Sequence, residues 1–81
     1  MSAMFELYYQ LPRDAVKESR LIEQVAEFGG RLDYLETSEI PGVTCYVCMT
    51  FEFDDRERAE LAEQSLRKQG EHTEGVCDYG P

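Results

Sequence analysis

Residues 42–53 read GVTCYVCMTFEF, and their alternation decides the fold. The odd positions Val43, Cys45, Val47, Met49, Phe51 and Phe53 are all apolar, while the even ones run Thr44, Tyr46, Cys48, Thr50 and Glu52. Successive strand side chains point to opposite faces, so the stretch predicts one long strand with an apolar face and a mixed one. Its β-branched and aromatic residues suit a pleated, half-buried surface. The remaining segments read as neighbours of this strand or as cover for its odd face.

Residues 4–11 (MFELYYQL) alternate in the same way, with Phe5, Leu7, Tyr9 and Leu11 against Met4, Glu6, Tyr8 and Gln10. Pro12 ends that ladder, and Asp14 stands where a helix N-cap is needed. Over 15–28 the period becomes helical: Leu21, Val25 and Phe28, joined by Ile22 and Ala26, form one stripe, and Glu18 falls among the polar positions. Gly29-Gly30 stops the helix, one of the two taking a left-handed cap. Residues 31–37 (RLDYLET) predict a second strand, in which the adjacent Tyr34 and Leu35 cannot share a face. Residues 38–42 (SEIPG) read as a turn. A second helix opens at Asp54-Asp55-Arg56-Glu57, where Asp54 and Glu57 have capping-box spacing. Its stripe of Ala59, Ala62 and Leu66, flanked by Leu61, is narrow enough to lie close to a sheet, and Gly70 ends it. Residues 72–79 (HTEGVCDY) predict the last strand.

The order strand, helix, strand, strand, helix, strand implies an α+β fold. Two right-handed crossovers interleaved about one hairpin give a ferredoxin-like two-layer sandwich, βαββαβ, with two helices on one face of a four-stranded antiparallel sheet. In strand order 4-1-3-2 the two best-patterned strands sit in the centre. A chain of 81 residues makes one domain, 1–81, with a small core that an oligomer interface would supplement.

That arrangement leaves one sheet face without cover. Met4, Tyr8, Tyr46 and Cys48 fall on it, ringed by Thr44, Thr50 and Glu6, and so much apolar surface points to a partner, most simply a second copy of the chain. Seventeen acidic and eight basic residues give a net charge of −9, which opposes nucleic acid and anionic lipid and favours a basic protein partner. No membrane-spanning run and no secretory leader are expected, and three cysteines, an odd number, do not make a disulfide framework. The cytoplasm is the expected compartment.

Cys45-x-x-Cys48 invites a metal or redox reading, but on a strand the odd offset sends the sulfurs to opposite faces. His72 and Cys77 lack a third, orienting group for catalysis. Asp54, Asp55, Glu57 and Glu60 are explained by capping and the helix dipole. No cofactor is expected. Tyr8 and Tyr46 on adjacent central strands match the base-stacking platform of RNA-recognition domains in topology, without the basic residue and glycine core of that motif.

The run Leu21-Ile22-Glu23-Gln24-Val25-Ala26-Glu27-Phe28-Gly29-Gly30, followed by a strand and a long hairpin, resembles the ACT-type small regulatory modules. The resemblance implies a dimerising ferredoxin-like domain, in many members with an amino acid bound at a subunit interface. The family's ligand turn carries an Asp-x-x-Gly-like sequence, whereas Leu11-Pro12-Arg13-Asp14 has no glycine, so dimerisation carries over better than ligand binding. The acidity and the ending Glu71-His72-Thr73-Glu74-Gly75-Val76-Cys77-Asp78-Tyr79-Gly80 also resemble the small acidic inhibitors of ribonuclease E, which implies protein–protein inhibition. Three functions stand at this point. The first is a non-enzymatic regulatory or adaptor domain that self-associates through its open face. The second is an acidic binder of a basic partner through Glu57, Glu60 and Glu63. The third is a small dimeric ferredoxin-like barrel enzyme using His72 or a tyrosine hydroxyl.

Overall fold

The computed structural model describes residues 2–38 and 45–79. The elements are β1 (Ser2–Gln10), α1 (Ala15–Glu27), β2 (Arg31–Ser38), β3 (Tyr46–Phe53), α2 (Arg56–Lys68), β4 (His72–Thr73) and β5 (Cys77–Tyr79). All pairings are antiparallel, in the order β2-β3-β1-β4, with β5 also on β1. This is the ferredoxin-like α+β sandwich the alternation predicts, with β1 and β3 in the centre. Among the described residues no helix is long and apolar enough to cross a membrane.

β1 and β3 pair along their whole length, from Ala3↔Phe53 to Gln10↔Tyr46. Phe5, Leu7, Val47, Met49, Phe51 and Phe53 are buried on the face that the helices cover, together with Leu21, Val25, Ala59, Ala62 and Leu66. The Phe5 ring lies 5.7 Å from Phe51 and 5.6 Å from Phe53, so three aromatics form the centre of the core. Val43 and Thr44, expected in the long strand, and the 39–42 part of the expected turn lie outside the described residues. Cys45 precedes β3 instead of belonging to it.

Both helices end in the same way. After α1, Gly30 N–H reaches the Val25 carbonyl at 3.0 Å and Gly29 takes φ +86°. After α2, Glu71 N–H reaches the Leu66 carbonyl at 3.1 Å and Gly70 takes φ +95°. These six-to-one bonds satisfy carbonyls the helix leaves open, and they need a left-handed residue that only glycine adopts freely. Asp14 caps α1, its carboxylate accepting Lys17 N–H at 3.0 Å.

Several local expectations are corrected, and the facing of Tyr34 and Leu35, open in the sequence, is decided by the structure. The cap of α2 is Asp55, which accepts Glu57 N–H at 3.0 Å, while the Asp54 carboxylate turns to Arg31 at 3.1 Å, so the Asp54/Glu57 box does not form. The last strand is two short ones, because Gly75 interrupts it: β4 pairs with Leu7 and Tyr8, and β5 with Ser2, Ala3 and Met4. Ala26 is exposed, and Glu18, assigned to the polar side of α1, is buried. Finally, β2 slips by one residue between Leu32 and Tyr34, leaving Asp33 as the extra residue. That bulge lets Leu32 and Leu35, three apart, both reach the core face, and it turns Tyr34 outward opposite Thr50.

The inward Glu18 has a clear reason. Its carboxylate accepts the Tyr9 hydroxyl, and Arg13 grips it twice, at 2.8 and 3.1 Å. Tyr9 in turn accepts Asp14 N–H at 3.1 Å, so β1, the turn and α1 are tied at one point. Arg13 first, with Tyr9 assisting against burial, holds the Glu18 carboxyl below its ordinary value of 4.5. A depressed carboxylate stabilises the fold above its ordinary pKa and loses that contribution as the pH falls through its folded value. Glu18→Ala is therefore expected to lower the unfolding free energy by about 1–3 kcal/mol at neutral pH. The gap should shrink below pH 4.5 in urea titrations, and a gap independent of pH would show that the charge is not what stabilises.

Candidate functional site

The open sheet face divides into two halves. At one end, Tyr8 on β1 stands opposite Cys48 on β3, and its ring meets Tyr46 edge-on at 5.4 Å and His72 at 6.0 Å. Edge-to-face packing sets the positive rim of one ring against the negative face of the other, so the pair is a rigid aromatic surface. Both tyrosines are half-buried by their neighbours on the sheet.

Glu6 lies next along β1 on the same face. Its carboxylate accepts the Tyr8 hydroxyl at 3.0 Å and the Cys48 thiol at 3.4 Å. Loss of water raises the Tyr8 phenol well above its ordinary value, and the hydrogen bond to Glu6 adds to this. The Cys48 thiol is pushed up to about 11, again by burial first and Glu6 second. At neutral pH Cys48 is therefore a protonated donor to Glu6, the wrong form for a nucleophile or a metal ligand. Only 2% of Cys48 is exposed, so it supports the tyrosines from beneath and presents no contact surface of its own.

The other half is a shallow trough of about 470 Å³. Met4, Glu6 and Thr50 form its floor; Asp33 and Tyr34 rise on the β2 side, and Glu74, Gly75 and Cys77 on the other. Both walls come from irregularities: the β2 bulge supplies one, and the break between β4 and β5 the other. Neither was legible in the alternation, although Gly75 within an otherwise strand-like run was a signal.

The remaining candidates are dispersed. His72 is exposed at the start of β4, against the Tyr8 ring and outside any enclosed polar cavity. Cys77 is exposed on β5 with its thiol near the Gly75 carbonyl, 3.7 Å away. Glu63, expected on a docking face of α2, is buried and accepts the Thr73 hydroxyl at 3.1 Å, while Arg67 donates to that hydroxyl at 2.8 Å. This network anchors β4 to α2 and removes Glu63 from any docking surface. Arg56 lies 3.9 Å from Glu60 and 2.8 Å from Asp78, which further lowers the free negative charge of that helix.

No protein-family model matches the chain, and no curated protein matches it by sequence. Solved structures do match in shape. A de novo designed protein, Foldit4, superposes with a TM-score of 0.61 at 18% identity, covering 98% of this chain and 97% of its own. Prephenate dehydratase from Streptococcus mutans gives 0.64 at 16% identity, covering 90% of this chain and 40% of its own. The regulatory subunit of aspartate kinase from Thermus thermophilus gives 0.57 at 16% identity, covering 94% of this chain and 50% of its own. The chain thus spans half or less of the length of these two natural proteins. At such identities the likeness is one of fold, the ferredoxin-like sandwich described above.

Proposed function

We propose that this chain is a small non-enzymatic regulatory or adaptor domain of the cytoplasm that self-associates through its open sheet face. One observation carries the reading: the Tyr8 and Tyr46 rings pack together on the face opposite both helices, and Met4 lies further along β1 on that same face. Large, rigid groups of this kind dominate interface energetics. Cys48 belongs to the same patch as its support. A small ligand held between two copies would contact the same tyrosines. The regulatory setting is supported by the aspartate kinase subunit that shares the fold, and the non-enzymatic one by a protonated Cys48 and an exposed His72.

Light scattering on the purified chain should give about twice the 9.3 kDa of one copy, at both low and high salt, because apolar contact is not screened. Tyr46→Glu should weaken association at least about 30-fold, as expected when a hot-spot side chain worth about 2 kcal/mol is lost. A monomeric wild type, or a dimer indifferent to Tyr46→Glu, would overturn the proposal. The net charge of −9 also favours a basic partner, for which the α2 face is poorly placed once Glu63 is buried.

A further inference from the structure

We propose that the trough at the acidic end of the open face docks an arginine presented by an extended segment of a basic partner protein. The reading goes beyond self-association: the trough adjoins the aromatic patch of Tyr8 and Tyr46, with Met4 and Glu6 at their common border, and its charged walls at Asp33 and Glu74 lie outside the three proposed anchors. Four steps along β1, roughly 13 Å at about 3.3 Å per residue, lead from Met4 to Tyr8.

Charge selects the occupant. Three carboxylates, of Glu6, Asp33 and Glu74, line the trough, and none of its lining residues is a lysine or arginine. Glu6 receives hydrogen bonds from a phenol and a thiol, neutral donors that order the carboxylate without cancelling its charge. Arg31, two positions before Asp33, is engaged by Glu52 at 2.9 Å and Asp54 at 3.1 Å. The trough is thus a concave anionic site on a chain of net charge −9, which repels nucleic acid and anionic lipid headgroups and attracts a cation.

Shape narrows the choice. Tyr34 is 57% exposed on the trough wall beside Asp33, an aromatic ring without cover next to a carboxylate. A guanidinium satisfies both, since its plane stacks on the ring while its fork pairs with carboxylate oxygens; an ammonium is a hydrated point charge and does less of either. A second copy of this chain is a poor occupant. A two-fold interface with its axis at the trough would set carboxylates against carboxylates. The occupant is therefore a different, basic chain.

The test is a fluorescence-anisotropy titration with a labelled extended peptide carrying two arginines, set against the same peptide with lysine and with citrulline. Saturable binding is expected, tightest for arginine and lost for citrulline. The double substitution Asp33→Asn with Glu74→Gln should weaken it by about three- to tenfold, the effect of two exposed charge pairs. The charge-matched Glu57→Gln with Glu60→Gln on α2 should change it by less than about twofold, being outside the site. Tyr34→Ala should weaken it about two- to fivefold with no change in charge. Equal losses in the two double variants would mean overall acidity alone and would overturn the site, as would lysine binding as well as arginine or an absence of saturation. All substituted side chains are exposed, so the variants should melt like the wild type. Light scattering on the trough double should return the wild-type mass. A change in mass would overturn the separation of the two sites, and an unchanged mass leaves the self-association reading to its own test.

Discussion

Phe51→Ala is expected to lower the unfolding free energy by about 3–5 kcal/mol, the cost of a large cavity in a core that relaxes only in part. Phe51 has no exposed surface, and it sits in the middle of β3 opposite Phe5 on one side and Leu32 on the other. Its ring contacts Phe5, which in turn stacks on Phe53, so truncation removes a member of the core's aromatic cluster rather than a peripheral side chain. A domain of this size has a total stability on the order of 5–15 kcal/mol, and the variant would be close to unfolded at physiological temperature. Urea unfolding checks this, with Thr50→Ala as control. Thr50 is next in the chain but half-buried on the open face, and its loss should cost less than about 1 kcal/mol. A loss below that for Phe51 as well would mean the core is not centred where the sheet places it.

Gly30→Ala is expected to cost more than Gly29→Ala, for a different reason. Gly29 has the left-handed φ of +86° and open space where a Cβ would go, so alanine there meets only backbone strain, about 1 kcal/mol. A Cβ at Gly30 would run into the Phe53 ring and come within 2.6 Å of Val25 Cγ1. Neither neighbour is a flexible end: Phe53 and Val25 are core groups with at most 1% exposure. Overpacking of this kind costs about 1–3 kcal/mol, and more where the neighbours cannot move. Thermal melts of the two single variants should rank them in that order. The reverse order would show that α1 can move away from the sheet and that the close approach is not a constraint.

The two predictions share a cause that bears on function. Phe5, Phe51 and Phe53 draw β1 and β3 against the helices, and the side chains of the alternate residue pairs then lie on the open face in fixed register. Tyr8 faces Cys48 because Phe5 faces Phe51. The floor of the open face is therefore held in place by the core behind it, which limits the entropy lost when a partner binds.

Much of this was legible from residue order. Alternation in 4–11 and 42–53 located the central strands and which side chains share a face, because the period of a strand is two whatever it packs against. Asp14 as cap, and Gly29 and Gly70 as stops, followed from backbone chemistry confined to a few neighbouring residues. The orientation of Tyr34 and Leu35 was not legible. It depends on the Asp33 bulge, and a bulge arises from competition between two strands for register. Glu18 read as a surface residue because a helical stripe does not show that Tyr9 and Arg13 wait beneath it. The same holds for Glu63, whose burial depends on Thr73 from another element.

Local patterns thus determined the elements, their order, the caps and the two faces of the central strands, since each rests on steric and hydrogen-bonding rules acting within a few residues. Only the tertiary structure decided the bulge, the split of the last strand, the two inward carboxylates and the trough between Tyr34 and Glu74. Each of these depends on groups far apart in the chain, and a charge is buried, or a wall raised, only when the distant partner is in place.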